Sequence, residues 1–240
     1  MGEMKEREDG APWRNFYGRR RGKTLRDTQE RDLDELLPRL APPGVAWADN
    51  PDRTPVDFQS MVEGARAAWL EIGFGGGEHL VAMAKANPDI AMIGCEPFIN
   101  GVAMCLGGLK RADIGTARIH AGDARELFDV AQDNAFERIF VNYPDPWPKS
   151  RHHKRRFVSP ANVAHLSRVC APGGRLHIAT DIPDYVRHSL EALSGFPEFR
   201  WTAERPSDWR EPWADWPSTR YEQKALREGR TPHYLTFIRD

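Results

Sequence analysis

Residues Asn142 to Arg156 read NYPDPWPKSRHHKRR, and the side chains gathered there suit chemistry on a flat polar ring held beside a phosphate. Three prolines between Tyr143 and Pro148 fix φ at their positions and remove three backbone donors. Each proline also biases the residue before it towards extended geometry. The resulting stiff turn holds one carboxylate, Asp145, beside one indole, Trp147. Lys149, Arg151, Lys154, Arg155 and Arg156 follow with His152 and His153 and no acid, a pattern that suits a phosphate backbone. Together they point to a nucleic-acid base as the reacting group.

Four further carboxylates stand at comparable places. Glu71, Glu96, Asp123 and Asp181 each lie at or just beyond the end of a short apolar run, as Asp145 does. Such acids often cap the next helix. Five in register are better explained by a ligand bound beyond the carboxyl ends of parallel strands. Gly73-Phe74-Gly75-Gly76-Gly77 supplies a GxGxG loop, but Glu78 breaks the dinucleotide fingerprint. An acid there would repel a pyrophosphate at the helix N-terminus. The loop, with Gly73 and Gly75, still allows close approach of a ligand without phosphate. Glu71 is placed to accept an ammonium, Glu96 two ribose hydroxyls and Asp123 an adenine amino group. S-adenosylmethionine has all three groups.

These residues need a parallel sheet to position them. Ala67 to Ile72, Ile90 to Cys95, Ala117 to His120, Arg138 to Asn142 and Arg175 to Ala179 read as buried strands. Helical patterns alternate with them around Leu80 to Ala84, Val102 to Leu109, Arg125 to Val130, Val163 to Cys170 and Val186 to Leu193. Ser159-Pro160 marks one helix start, and Pro172-Gly173-Gly174 reads as a turn before the fifth strand. Phe199 to Thr202 and Tyr234 to Ile238 are predicted antiparallel strands at the far edge. Before the sheet, Asp27-Thr28-Gln29-Glu30 resembles a capping box. Leu33, Leu36, Leu37 and Leu40 then form one helical face, ending near Pro42-Pro43. The expected class is an α/β Rossmann-like sheet with helices on both faces.

Apolar residues make up 40% of 240, enough for a sizeable core, and the formal net charge is −1. Affinity for nucleic acid must therefore come from local clusters. The second cluster, Arg14 to Arg26, has six basic residues and no acid, with Phe16 and Tyr17 among them. Residues 1–26 are expected to form a flexible basic arm able to wrap onto RNA, with Met1 to Trp13 disordered. Residues 27–240 form the main domain, including a C-terminal cap rich in tryptophan. Packing over the sheet is the favoured role for Trp201, Trp209, Trp213 and Trp216 over base stacking. Cys95, Cys105 and Cys170 have no CxxC spacing, which argues against a disulfide framework and structural zinc. No metal site and no membrane segment are expected, and the protein reads as cytoplasmic. The oligomeric state is left open.

Leu70-Glu71-Ile72-Gly73-Phe74-Gly75, Pro144-Asp145-Pro146-Trp147-Pro148-Lys149, His152-His153-Lys154-Arg155-Arg156, Ala179-Thr180-Asp181 and Thr219-Arg220-Tyr221-Glu222 resemble the signatures of the bacterial tRNA (guanine-N7)-methyltransferases. The resemblance runs from about Arg14 to the C-terminus. Glu96-Pro97-Phe98 departs from the family's acid-Val-His pattern but keeps the acid. The resemblance implies a class I S-adenosylmethionine-dependent methyltransferase acting on a guanine of the tRNA variable loop, position 46. It also implies that Glu71, Glu96, Asp123 and Asp145 contact the cofactor, with Asp145 in the catalytic position. Lys149, Asp181 and the segment Thr219, Tyr221 and Glu222 would bind substrate, while Arg151, His152, His153, Lys154, Arg155 and Arg156 would touch RNA. Two rival readings stand beside it. Asn142-Tyr143-Pro144 is similar to the Asn-Pro-Pro-Tyr turn of amino-group methyltransferases, and an RNA-binding module with a vestigial cofactor pocket would share the basic clusters.

Overall fold

The computed structural model describes residue 11 and residues 13–240, so most of the expected disordered stretch from Met1 to Trp13 lies outside the described residues. In chain order the helices are α1 (Asp27–Glu35), α2 (Leu37–Leu40), α3 (Glu78–Ala86), α4 (Ile99–Arg111), α5 (Ala124–Val130), α6 (Pro160–Val169), α7 (Pro183–Ser194), α8 (Ser207–Arg210) and α9 (Arg220–Arg227). The strands are β1 (Ala67–Ile72), β2 (Ile90–Cys95), β3 (Ala117–His120), β4 (Phe136–Asn142), β5 (Cys170–Thr180), β6 (Phe199–Trp201) and β7 (His233–Arg239). They form one sheet in the order β3-β2-β1-β4-β5-β7-β6. β1 to β5 are parallel, and β7 runs antiparallel to both β5 and β6. Strand order reverses between β1 and β4, and a crevice opens there beyond the carboxyl ends. No helix among the described residues is long and apolar enough to cross a membrane.

Two apolar layers sandwich the sheet. Leu70, Ile72, Ile93, Ile139 and Val141 pack with Leu127, Phe128, Leu166 and Tyr185 on the side of α5, α6 and α7. Trp69, Met92 and Phe140 pack with Leu80, Val102, Cys105 and Leu106 on the side of α3 and α4. Strands covered on both faces need apolar residues at nearly every position, which is why their runs show little alternation. The three cysteines are free and buried. Leu33, Leu36, Leu37 and Leu40 join the α3/α4 layer.

Three local expectations are corrected. The N-cap of α1 is Arg26, one residue before Asp27, and its N–H donates to Gln29 Oε1 at 3.1 Å. The leucine face is split at Leu36 into two helices, because Pro38 suits the first turn of a new helix better than the interior of an old one. Pro172-Gly173-Gly174 lies inside β5. Phe136 faces Cys170 but Arg138 faces Arg175, so β5 bulges through these residues, with Gly173 at φ +74°.

The C-terminal tryptophans pack. Trp213 donates to Thr236 Oγ1 at 2.8 Å, its ring centroid is 4.5 Å from that of His177, and Trp209 stacks on His233 at 5.3 Å. Trp216 lies 5.0 Å from His79. Trp201, on the edge strand β6, remains 38% exposed.

Gly77 caps α3 at φ +79°, and a Cβ there would lie 2.5 Å from Cys105 Sγ and 3.0 Å from the Cys105 Cα. Gly77→Ala is therefore expected to destabilise the fold by about 2–4 kcal/mol, combining overpacking with left-handed strain. Urea unfolding would read this as a lower midpoint at unchanged slope. An unchanged midpoint would mean that α3 and α4 separate without penalty.

Candidate functional site

Beyond the ends of β1, β2 and β4 lies a crevice of about 780 Å³. Its floor is the glycine loop, where Gly73, Gly75 and Gly77 all have positive φ. Gly73 N–H donates to the Cys95 carbonyl at 2.8 Å, tying the loop to the end of β2. Gly75 N–H donates to Glu96 Oε2 at 2.8 Å, and Phe98 N–H donates to Glu96 Oε1 at 2.8 Å. Burial pushes the Glu96 carboxyl pKa up, and these two bonds act in the opposite direction. A carboxylate has about four acceptor sites, so Glu96 keeps acceptor capacity for a ligand. Gly101, at the start of α4, lets the loop come close: a Cβ there would be 2.4 Å from the Gly75 carbonyl oxygen.

Asp145 lies on the crevice wall, and among the described residues nothing hydrogen-bonds its carboxylate. Its desolvating surroundings raise its pKa. The turn that holds it departs from the extended geometry expected before proline. Tyr143 has φ +48° and Trp147 φ +43°, both left-handed. Such non-glycine conformations cost about 1–3 kcal/mol each and persist where the surroundings over-determine them. Here Tyr143 N–H donates to the Ala179 carbonyl at 2.7 Å, and Arg156 Nε donates to the Pro146 carbonyl at 2.9 Å. The Tyr143 ring lies nearly parallel to Tyr221 at 6.3 Å.

Asp123 lines the crevice as well, but its side chain is engaged. It caps α5 through Arg125 N–H at 2.9 Å and pairs with the Arg125 guanidinium at 2.5 Å. Arg125 in turn donates to the Asn15 carbonyl at 2.9 Å. The basic N-terminal segment thus lies against the site: Trp13 to Arg19 form one wall of the crevice. Ile99 N–H donates to the Arg20 carbonyl at 3.0 Å, and Asn100 bonds Gly22 N–H and the Lys23 carbonyl, both at 2.7 Å. Arg155 lies over Tyr17 at 4.9 Å and over Trp147 at 5.0 Å, which joins this segment to the Asp145 turn. Trp147 meets Tyr17 and His152 edge to face.

Several predicted site residues stand elsewhere. Glu71 is 1% exposed and does not line the crevice. Alternation along β1 sends it to the α3/α4 face, where His79 Nδ1 meets Oε2 at 2.7 Å and Asn142 Nδ2 donates to Oε1 at 3.4 Å. Its carboxylate is held in a buried polar pair beneath the loop. Arg156, expected at the RNA surface, has a fully buried side chain, paired with Asp184 at 2.5 Å. Thr219 is buried and caps α9 by accepting from Glu222 N–H at 3.2 Å. Glu222 is also buried; it accepts from Trp216 Nε1 at 2.9 Å and from the Tyr234 hydroxyl. Asp181 pairs with Arg230 at 3.0 Å.

Tyr221 is half exposed and reaches the crevice over Gly75, while its neighbour Arg220 pairs with Glu78 on the first turn of α3. Lys149, Arg151 and Lys154 are exposed at the rim, with His152, His153 and Arg155 partly covered. The crevice thus mixes Glu96, Asp123 and Asp145 with arginines such as Arg14 and Arg125, while further cations stand exposed around it. Arg125, Tyr143 and the wall formed by Trp13 to Arg19 escaped the sequence reading, since no local pattern marks a partner about 110 positions away.

Comparison with known proteins identifies the family. A family model described as "Putative methyltransferase" matches residues 65–235. The chain is 59% identical over 230 residues to the tRNA (guanine-N(7)-)-methyltransferase of Ruegeria sp. (strain TM1040), covering 96% of this chain and 89% of that protein. It is 57% identical over 236 residues to the protein of the same name from Ruegeria pomeroyi (strain ATCC 700808 / DSM 15171 / DSS-3), covering 98% and 99%. Among solved structures, the 16S rRNA methyltransferase KamB shares the fold with a TM-score of 0.55 at 16% identity, over 76% of this chain and 92% of that one. By sequence, this chain belongs to the tRNA (guanine-N7)-methyltransferase family.

Proposed function

We propose that the protein transfers the methyl group of S-adenosylmethionine to N7 of a guanine in the tRNA variable loop, at position 46, in the cytoplasm. The observation that carries this reading is the accessible, unpaired Asp145 carboxylate beside a phosphate-free glycine loop and beneath a rim of cations. The crevice suits the cofactor. Glu96 has acceptor sites left for ribose hydroxyls, the loop has no Cβ at Gly73 and Gly75, and the Asp123–Arg125 pair borders the place for a flat ring. When bound, S-adenosylmethionine supplies a methyl group already activated on a sulfonium.

Guanine N7 carries an in-plane lone pair, so no base is required to create the nucleophile. The protein's work is alignment of acceptor and donor, which alone can lower a barrier by several kcal/mol. Asp145 accepts from the guanine N1–H and N2 amino group and offsets the positive charge that develops on the methylated ring. Tyr221 and Tyr143 offer aromatic surface beside it, and Lys149, Arg151, Lys154 and Arg155 hold phosphates. Glu71, through His79, Asn142 and the loop, keeps the floor in shape.

The direct test is incubation with labelled S-adenosylmethionine and unmodified tRNA, followed by borohydride and aniline treatment, which cleaves at N7-methylguanine. Label with cleavage in the variable loop is expected; label without cleavage would move the reaction to an exocyclic amine. Asp145→Ala is expected to lower turnover by about 100-fold or more at an unchanged melting temperature, and near-normal turnover would remove Asp145 from the chemistry.

Activity needs the ionised Asp145, whose pKa is raised, so kcat/KM falls as pH drops through that raised value. The acid limb of the profile should therefore lie above the ordinary aspartate value of about 4. A profile that stays flat down to pH 4 would contradict this role.

A further inference from the structure

The basic run after the Asp145 turn holds one residue that faces inward. Arg156 follows four cationic residues in the sequence, yet its side chain is wholly buried. The short 3-10 helix Ser150–Arg155 ends just before it and returns the chain beneath the turn. There Nε donates to the Pro146 carbonyl at 2.9 Å, Nη2 to Asp184 Oδ2 at 2.5 Å and Nη1 weakly to the Asp184 carbonyl at 3.4 Å. The guanidinium lies over the Tyr185 ring at 5.4 Å. Pro146 separates Asp145 from the left-handed Trp147, so its carbonyl is the point at which the turn is held from inside the protein. Among the described residues, the other hydrogen bond to the backbone from Tyr143 to Trp147 is made by Tyr143 N–H, on the far side of Asp145.

We propose that Arg156 is a positioning residue, one that sets the place of the Asp145 carboxylate for methyl transfer and does not contact the tRNA backbone. The inference rests on the reading of Asp145 given above. Its chemistry follows from the guanidinium fork. One edge grips a neutral carbonyl and the other a carboxylate, a two-ended hold that a single ammonium does not reproduce. Asp184, the counter-ion, is held down to about 2 by its hydrogen bonds from Arg156 and Arg187, so it stays ionised throughout the working pH range. Asp184 is 39% exposed on the first turn of α7. The Asp145 turn is thereby tied to α7, whereas Tyr143 ties it to β5.

Positioning and phosphate contact predict opposite kinetics. Arg156→Ala is expected to lower kcat about 10- to 100-fold at saturating tRNA and S-adenosylmethionine, since a displacement on the order of 1 Å has that effect. The KM for tRNA and its salt dependence should stay within about twofold. Added guanidinium chloride should restore part of kcat relative to equal sodium chloride, and Arg156→Lys should recover little. Lys154→Ala, at the exposed rim, should instead raise the KM for tRNA and weaken its salt dependence. A raised KM with normal kcat in Arg156→Ala would make Arg156 a tRNA contact and overturn the proposal, as would an unaltered kcat.

If Arg156→Ala does not fold, Asp184→Asn provides the second reading. Loss of the counter-ion should lower kcat about 3- to 10-fold with calorimetric S-adenosylmethionine binding and melting temperature retained. Unchanged kcat there would also overturn the proposal. Wild-type protein assayed alongside separates the two levels. Absence of N7-methylguanine from the wild type defeats the functional reading, whereas normal methylation by the variants defeats only the role of Arg156.

Discussion

Burial of β1, β2 and β4 between two helical layers is the constraint on which the site depends. A side chain that points to either face of these strands meets helix, not solvent. Ligand chemistry is left to residues beyond the strand ends, where the order of the sheet reverses and the loops diverge. Glu96 and Asp145 lie beyond β2 and β4 and reach the crevice. Glu71 lies one residue inside β1 and is turned to the α3 face, where His79 and Asn142 meet its two oxygens. Relative to the strand end, two residues separate the buried Glu71 from Glu96, and four separate it from Asp145, the two acids that line the crevice.

Chain segments far apart in sequence complete the crevice. From one side, Tyr221 leans on Gly75 and Arg220 pairs with Glu78, the acid that spoils the loop for a pyrophosphate. From the other, Asn15 meets Arg125, and Tyr17 shares Arg155 with Trp147. The basic clusters therefore have a dual character: some of their cations shape the acidic crevice, and the rest remain at its rim. Behind α9 the buried Glu222 is held by Trp216 and Tyr234, and Trp216 packs on His79. This polar and aromatic network backs the glycine loop with the C-terminal cap. Such a network rigidifies a core when its members find partners.

The Asp145 turn combines stiffness with strain. Three prolines limit its freedom, yet Tyr143 and Trp147, the two residues that flank Pro144-Asp145-Pro146, adopt left-handed geometry, which prolines do not by themselves favour. External bonds to β5 and to Arg156 hold it there. A carboxylate on a strained, bonded turn is displaced less by ligand entry than one on a free loop.

The strand-helix alternation, the parallel sheet, its antiparallel edge and the family signatures were legible from the residues, because each rests on local pattern: apolar runs, a Ser-Pro helix start, glycines after β1, acids after strands. The placement of the carboxylates near strand ends was legible for the same reason. Which of them line the crevice was not, because that depends on the face and partner each acquires. Asn142 and Glu71 are 71 positions apart, Arg156 and Asp184 are 28 apart, and Asn15 and Arg125 are 110 apart. A charge pattern shows that Arg156 is basic, but only the return of the chain beneath the turn decides that it is buried. Composition and spacing thus determined the fold and the kind of chemistry, whereas packing between distant segments determined which atoms remain free to perform it.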